Sequence, residues 1–380
     1  MVWRTRQGNR IKMLFLGDME KFEEITSALD PRVKGRCKHK MSDIIIIAIA
    51  TYLCGGDDYV SMYELCRERG EELKPLVELP NGCPSVDTFE RVISRIDPKA
   101  FGACLSVFGD TLIEDLKGKH VSIDGKRIRG SKSSNSFTHI LSAWVNEQSI
   151  CLAGETVDEK SNEITAIPEL LGSIDLSGAV VSIDAMGTQT GIAQKIVESE
   201  ADYVLALKGN HKHLAEDVKD AFTGRCKEFA YNTLEKDHGR VEERTYTALC
   251  SQEVLDESQC DAWKNLSSLI RVDRLVTLSD GTERHEKQYY LSSLPAEAVE
   301  KISSYIRGHW GIENRLHWHL DVTFREDHCR ARKEYAATNL NTIRKLALTI
   351  VSLQKDKLSL RKRLFKAALN IDYLKKLLKI

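Results

Sequence analysis

Apolar residues recur at helical spacing in the first part of the chain, which predicts helices there. The segments with this spacing are 41–53, 62–66, 88–96 and 101–117. Ser85 is a candidate N-cap for a helix that begins near Val86, because its hydroxyl can accept a hydrogen bond from a free backbone N–H. We therefore predict an N-terminal extension over 1–21 and a small all-helical domain over 22–117.

Beyond residue 117 the pattern changes to short segments rich in Val, Ile and Leu, which is typical of strands. The predicted strands are 120–124, 138–145, 150–156, 179–184 and 203–208. Helical spacing interrupts them at 163–173 and 190–198. Three strands followed by alternating helices and strands predict an α/β domain with helices packed on the sheet, whose first part we assign to 118–210.

The region 211–287 is more polar and contains alternating segments, which predict a β-rich insertion. The alternating segments are 242–249 and 269–277, and a strand-like segment at 288–294 follows them. Pro295 is acceptable in the first turn of a helix and opens a long helix predicted over 296–320. The second part of the α/β domain is therefore predicted over 288–350, with a basic C-terminal helix over 351–380.

Composition narrows the classes of protein. The chain has 380 residues, of which 42% are hydrophobic, so a sizeable core is possible. Its longest apolar run, 44–53, is much shorter than the roughly 20 residues of a membrane span, so we expect a cytoplasmic protein without a membrane partner. The 55 basic and 56 acidic residues give a formal charge of −1, so any positive surface for nucleic acid must be localised.

Cysteine usage predicts reduced thiols. The ten cysteines are scattered along the chain without a Cys-x-x-Cys pair. This distribution favours free thiols over disulfides or structural zinc.

Two aspartates follow similar apolar segments. Asp124 comes after Val-Ser-Ile and Asp184 after Val-Ser-Ile, and glycine lies close behind each of them. Asp at the end of a strand is often only a turn residue or a helix cap. Because the same pattern occurs twice, we predict that both strands deliver a carboxylate into one cleft.

A third carboxylate comes from the predicted helix over 296–320. Ile306, Trp310, Glu313 and His317 fall at helical spacing, so Glu313 is predicted to share the face that packs on the sheet. A buried acid needs a partner, and either metal ions or arginines could supply one. Three convergent carboxylates suit Mg²⁺ or Mn²⁺, and two such ions roughly 4 Å apart would support phosphoryl-transfer chemistry.

These motifs resemble one family over nearly the whole chain. Ile-Asp-Gly-Lys at 123–126, Ser-Ile-Asp-Ala-Met-Gly-Thr-Gln at 182–189, Leu-Lys-Gly-Asn at 207–210 and His-Trp-Gly-Ile-Glu-Asn at 309–314 are similar to bacterial insertion-sequence transposases of the DDE type, in the H-repeat-associated subgroup. The resemblance implies an RNase H-like catalytic domain of the retroviral integrase type with a β-rich insertion, preceded by a small all-helical domain.

The resemblance also implies a site and partners. Asp124, Asp184 and Glu313 would be the catalytic, metal-binding residues, and the substrate would be double-stranded DNA of transposon ends and target. A homodimer would hold two ends together, associated with the nucleoid when it acts. The wider superfamily has Arg and Lys where this chain has His309 and Leu320. The candidate DNA-binding residues are Lys126, Lys208, Arg307 and Arg315.

Other residues have alternative interpretations. Asp321, Glu326 and Asp327 could supply a further metal ligand, but we favour surface pairing with Arg325, Arg330 and Arg332. Trp310 and Trp318 are predicted to lie in the core. The basic tail could lie along DNA or on the catalytic domain, or it could be an ordinary helix with a solvated face, and the sequence leaves these open.

Two other functions share the same residues. An RNase H-like nuclease that cuts DNA without joining it would need the same three carboxylates. An inactive, DNA-binding descendant is the alternative from another class, and the intact carboxylates argue against it.

Overall fold

The computed structural model describes residues 19–378, with the exception of 34, 114, 133–136, 158–161, 225 and 238. Most of the predicted extension over 1–21, namely residues 1–18, therefore lies outside the described residues, as do the last two residues of the basic tail. The described chain adopts the predicted mixed α/β architecture.

Helices occupy both ends of the described chain and the spaces between strands. They are α1 Met19–Ala28, α2 Met41–Leu53, α3 Tyr59–Leu73, α4 Val86–Ile93, α5 Pro98–Leu112, α6 Glu163–Gly172, α7 Thr190–Glu198, α8 Lys212–Ala221, α9 Glu257–Ala262, α10 Val299–Gly311, α11 Ala336–Ser352, α12 Leu360–Leu369 and α13 Ile371–Leu378. The Ser85 hydroxyl caps α4 by accepting a hydrogen bond from the Thr88 N–H, as predicted.

Nine strands of the described part of the chain form one sheet. They are β1 His120–Ile128, β2 Thr138–Val145, β3 Ile150–Val157, β4 Val180–Ile183, β5 Asp202–Leu207, β6 Phe229–Asp237, β7 Arg240–Cys250, β8 Ser268–Leu278 and β9 Glu283–Ser292. Their order is β3-β2-β1-β4-β5-β9-β8-β7-β6. The central strands β1, β4 and β5 are parallel, and the β4 residues are all buried, as expected for a parallel strand covered on both faces.

The polar region after β5 joins the same sheet. Antiparallel strand β9 pairs with β5, and β8, β7 and β6 follow outward in turn. Their backbone hydrogen bonds are therefore continuous with those of the central strands. The helix α10 packs across β1, β4 and β7, so it bridges the two halves of the sheet.

The helical N-terminal region and the C-terminal helices share one hydrophobic core. Every residue of α2 is buried, and α11 packs against it. Apolar residues of α12 and α13, including Leu364, Leu374 and Leu377, enter the same core. The basic tail therefore packs on the protein through its apolar face and leaves Arg361, Lys362 and Lys366 exposed.

The expectation of reduced thiols throughout was wrong for one pair. Cys66 of α3 and Cys83, which precedes α4, form a disulfide with their Cα atoms 5.8 Å apart. Seventeen residues separate the two cysteines in the chain, and no short motif marks them. Sequence spacing missed the pair because the packing of α3 on α4 brings the two residues together.

None of the helices in the described part of the chain is long and apolar enough to cross a membrane.

Candidate active site

Asp124 and Asp184 lie side by side on neighbouring parallel strands. Ile123 of β1 pairs with Ile183 of β4, and each aspartate is the next residue in its chain. Adjacent strands lie ~4.8 Å apart, so the two carboxylates leave the sheet at the same edge. Strand β1 does not end at Asp124 as predicted but continues to Ile128 in its pairing with β2.

Each aspartate uses one carboxylate oxygen locally. Oδ1 of Asp124 accepts a hydrogen bond from the Gly125 N–H at 2.9 Å. Oδ1 of Asp184 accepts from the N–H groups of Met186 and Gly187 at 3.1 and 3.4 Å, and thereby caps the short turn that follows β4. Asp184 is thus a capping residue as well as a catalytic candidate, and its second oxygen is not used by the cap.

Glu313 lies just beyond α10, where the helix becomes wider. Residues Ile312–His317 and His319–Thr323 are wound as π-helix, a form that is rare and often found at functional sites. This winding breaks the regular spacing that the sequence predicts. Glu313 is exposed, whereas His317 is buried against the sheet, so the expectation that both share one face was wrong.

The tryptophans of this helix are not in the core. Trp310 is 46% exposed and Trp318 is 50% exposed, which contradicts the predicted core positions. The turns between the two tryptophans are π-helical, so the side chains there no longer follow the spacing of 3.6 residues per turn. Ile312, Leu316 and Leu320 fill the core positions instead.

Histidines and small residues hold α10 close to the sheet. The Ser182 hydroxyl of β4 lies 2.6 Å from His120 Nε2 of β1 and 2.7 Å from His309 Nδ1 of α10. Burial lowers the pKa of His309 to about 4 and that of His120 to about 3, so both rings are neutral. This chain of hydrogen bonds, which we call the His–Ser–His bridge, links α10 to both aspartate-bearing strands.

The glycines of α10 make this approach possible. A Cβ atom at Gly308 would lie 2.7 Å from His120 Nδ1, and one at Gly311 would collide with Asn146 Oδ1. Asn146 in turn donates hydrogen bonds toward His120 and to the Ser122 hydroxyl. His309 therefore has a structural role at the position where the wider superfamily has Arg.

Negative charge accumulates around Asp124. Burial above all, together with the charges of Asp184, Glu163 and Glu313, raises the pKa of Asp124 to about 7. No Lys or Arg within the described ranges forms an ion pair with Asp124. Bringing several carboxylates together without a cation destabilises the ionised form of each.

Glu163 and His317 belong to this cluster, and the sequence analysis missed both. Glu163 begins α6 and lies next to Gly125, where an added Cβ would collide with its carboxylate; its Oε1 is 2.9 Å from His139 Nε2. His317 Nδ1 is 3.5 Å from Asp124 Oδ2, and burial lowers the pKa of His317 to about 3. Glu163 stands in no motif, and His317 was noted only for its helical spacing, so their contacts with the aspartates appear only in the folded chain.

Lys126 is held by acids rather than exposed to a ligand. Its ammonium lies 2.7 Å from Asp321, 3.1 Å from Glu326 and 3.4 Å from Asp327. The side chain is 10% exposed. The predicted pairing of these acids with nearby arginines was therefore wrong, and Glu326 is not a surface residue, since it is fully buried.

The three other basic candidates remain closer to solvent. Arg307 forms an ion pair with Glu235 of β6 at 3.1 Å and is 45% exposed. Arg315 is exposed and donates to the Asn146 carbonyl at 3.2 Å. Lys208 is exposed at the end of β5, next to the strand that carries Asp184.

The donor set suits a hard divalent cation, although the conformation is open. Asp124, Asp184 and Glu313 offer only carboxylate oxygens, which Mg²⁺ and Mn²⁺ prefer. Among the described residues, no three His, Cys, Asp or Glu side chains lie close enough together to hold an ion.

Two regions match known families. Residues 115–350 match the family described as "Transposase DDE domain", and residues 19–108 match the one described as "DDE_Tnp_1-associated". The chain belongs to the DDE transposase family. The first match covers more than half of the chain, and it contains all three carboxylates that the sequence singled out.

Whole-length relatives agree with this assignment. The chain is 37% identical over 367 residues to "Putative transposase YncI" of Escherichia coli O157:H7, with 92% of each chain covered. It is 34% identical over 364 residues to "H repeat-associated putative transposase YhhI" of Escherichia coli K12, with 93% of this chain and 96% of that protein covered. The resemblance to the H-repeat-associated subgroup is thereby confirmed.

Proposed function

We propose that this transposase cuts DNA at transposon ends and joins the freed 3′ ends to target DNA, with divalent ions bound by Asp124, Asp184 and Glu313. The observation that carries the proposal is that Asp124 and Asp184 leave neighbouring parallel strands side by side, where the charge of Glu313 also acts on the partly buried Asp124. Such a cluster is stabilised by cations. Divalent ions held there would activate the attacking oxygen and stabilise the leaving one.

We assign the five strands β1 to β5 and the helix α10 to an RNase H-like core. The order β3-β2-β1-β4-β5, with antiparallel β1 to β3 and parallel β1, β4 and β5, supports this assignment. The strands β6, β7 and β8 then belong to the predicted insertion, which lengthens the sheet, and β9, which pairs with β5, spans its predicted limit at residue 287. Domain limits at 118–210, 211–287 and 288–350 remain the prediction from sequence.

The DNA backbone would run past Lys208, Arg307 and Arg315, whose side chains are exposed. Positive groups there would position phosphates and offset the charge that develops during transfer. Lys126 is left out of this set because its ammonium is neutralised by three acids. A homodimer would bring two ends together, and this remains a prediction.

The test uses the variants Asp124→Asn, Asp184→Asn and Glu313→Gln on labelled DNA that carries the terminal repeats flanking the gene. Each variant is expected to lower cleavage in Mg²⁺ by more than about 100-fold while binding ends as the parent does. Glu300→Gln, at an exposed glutamate of α10, is the matched control. Cleavage at the parental rate by any of the three variants would refute the assignment of that residue.

Joining is tested separately with ends that are already cut. A covalent product with target DNA is expected for the parent and not for the carboxylate variants. If the parent cleaves ends but joins none, the protein is a nuclease rather than a transposase in its chemistry.

A further inference from the structure

A cavity of about 410 Å³ lies beside the sheet, and the proposed catalysis assigns no role to it. One face of α11 forms a wall, and strand β3 with the first turns of α6 forms the opposite one. We call it the α11 cavity. Its volume falls within the range of about 300–1,000 Å³ that is usual for small-molecule sites.

Lys345 lies inside this cavity without an ion pair of its own, because Glu326, the acid whose charge acts on it, pairs with Lys126 and Arg344 instead. The side chain is 2% exposed, and it forms no ion pair or hydrogen bond with the residues that the structure describes. Burial lowers the pKa of Lys345. A buried ammonium is costly unless it is paired, so a group that supplies negative charge would relieve this cost.

The wall of β3 is shaped to admit the lysine. A Cβ atom at Gly154 would lie 2.9 Å from Lys345 Nζ, so glycine leaves room for the amine against the strand. Thr156, Thr338 and Asn341 add hydroxyl and amide groups around the same space. The two threonine hydroxyls can donate to the oxygens of an anion, whereas Asn341 Nδ2 already donates to Glu326 Oε1.

The acids of the cavity lie at its mouth, around a second lysine. Glu169 is 61% exposed and pairs with Lys99 at 3.0 Å, and the charge of Glu155 also acts on Lys99. Lys99 therefore offsets the acids at the mouth. The interior is left with the positive charge of Lys345, which favours an anionic ligand whose charged end enters first.

We propose that the α11 cavity binds a phosphate ester about the size of a mononucleotide, with its phosphate on Lys345. The space is larger than a phosphate alone requires, and the apolar side chains of Ile140 and Ala166 line the remainder. The ligand is either a free nucleotide or one nucleotide of a DNA strand. Only the second source depends on the proposed function.

The experiment measures binding by calorimetry in EDTA, so that catalysis cannot contribute. The probes are deoxyadenosine monophosphate, deoxyadenosine as its uncharged analogue, and an unrelated single-stranded oligonucleotide of about 12 nucleotides. The parent is compared with Lys345→Met and with Lys357→Met, the latter at an exposed lysine beyond α11. Gly154→Ala is the second cavity variant, because it displaces the amine and keeps its charge.

Lys345→Met is expected to weaken binding of the monophosphate at least ~10-fold, whereas Lys357→Met should bind it as the parent does. The parent should bind the uncharged nucleoside at least ~10-fold more weakly than the nucleotide. If the Lys345 and Gly154 variants lose binding of the oligonucleotide but not of the monophosphate, the ligand of the α11 cavity is a nucleotide within a DNA strand. Equal binding of every probe by all variants, or no binding by the parent, would overturn the proposal. If Lys345→Met does not fold, the same changes in probe binding are measured with Gly154→Ala instead.

Asp124→Asn separates this proposal from the catalytic one. That variant lacks a proposed metal ligand but leaves the α11 cavity intact. It is expected to bind the probe as the parent does even if it cleaves no DNA.

Discussion

Single residues decide the electrostatics of the carboxylate edge. Glu163 and Glu313 both act on Asp124, but Glu313 is exposed, whereas Glu163 is engaged with His139. Glu163 therefore adds negative charge from a position held by His139, and Glu313 adds it from an exposed position.

We expect Glu163→Gln to weaken the attraction of the site for a divalent ion without abolishing cleavage. The amide keeps the shape and the contact with His139 but removes one negative charge near Asp124. The Mg²⁺ concentration for half-maximal cleavage should rise by about 5- to 10-fold. Glu169→Gln, on the same helix but exposed, is the control, and an unchanged Mg²⁺ requirement in Glu163→Gln would contradict the prediction.

Neutral buried histidines make stability depend on pH. The pKa of His309 is about 4 in the folded chain and near 6.5 when unfolded, so the unfolded state binds the proton first as pH falls. The stabilisation is complete above pH 6.5 and decreases toward pH 4, where His309 alone accounts for about 3 kcal/mol of lost unfolding free energy.

Urea unfolding at pH 7 and pH 4.5 tests this dependence. His309→Asn should be less stable than the parent at pH 7, because it loses the bond to Ser182, and should lose less on acidification. His285, which is exposed, provides the control His285→Asn with the parental pH dependence. A parental pH dependence in His309→Asn would exclude this residue as its source.

At the scale of the element, the decisive feature is the close approach of α10 to the sheet. Gly308→Ala would place a methyl group 2.7 Å from His120 Nδ1 and so push the helix outward, together with Glu313. We expect cleavage to fall at least ~10-fold, since small displacements of catalytic groups are costly. The Gly308→Ala variant should also lack the stabilisation of about 1 kcal/mol that usually follows when alanine replaces an exposed glycine in a helix.

Gly191→Ala in α7 is the matched control for this substitution. No atom lies within 4 Å of a Cβ at Gly191. The control should therefore be as active as the parent and more stable by about 0.5–1 kcal/mol. Normal cleavage by Gly308→Ala would show that the helix tolerates the displacement.

Element limits were predicted well where the pattern is local. The helix Met41–Leu53, the strand Thr138–Val145 and the helix Thr190–Glu198 match their predicted ranges. The winding after Gly311 could not be foreseen, because the residues 312–323 are compatible with an ordinary helix and only packing favours the wider form. The exposure of Trp310 and Trp318 follows from that winding.

Candidate site residues were predictable only when a motif carried them. Asp124 and Asp184 stand out by their repeated context, and their strands are neighbours in the sheet. Lys126 is the last residue of the first motif, but its ammonium contacts acids that lie about 200 residues later in the chain. The roles of Glu163, His317 and Lys345 depend on contacts between distant segments, which periodicity does not encode.

At the scale of the whole molecule, a buried cluster of charges joins the helical region to the sheet. Glu326 contacts Lys126 of β1 at 3.1 Å and Arg344 of α11 at 3.5 Å, and the Arg344 guanidinium lies over the Tyr52 ring of α2. The attraction of the two cations keeps the pKa of Glu326 low in spite of its burial. The helices and the sheet should therefore unfold together.

Glu326→Gln tests this coupling. The change leaves the buried Arg344 without its acidic partner and removes one of the three acids around Lys126, and we expect the free energy of unfolding to fall by about 3–5 kcal/mol. Helical circular dichroism and tryptophan fluorescence should still report one transition. Glu300→Gln should have little effect, and a loss below about 1 kcal/mol in Glu326→Gln would mean that the cluster is not needed for stability.

Because Ile123 pairs with Ile183, the protein can tolerate insertions and deletions at some positions and not at others. Side chains alternate between the two faces of a strand, so deleting one residue in the first half of β1 would turn Asp124 away from Asp184 and carry buried positions into the opposite layer. The hairpin between β8 and β9 turns at Gly281 with no such constraint. Functional copies should therefore differ in length at this turn but not within β1.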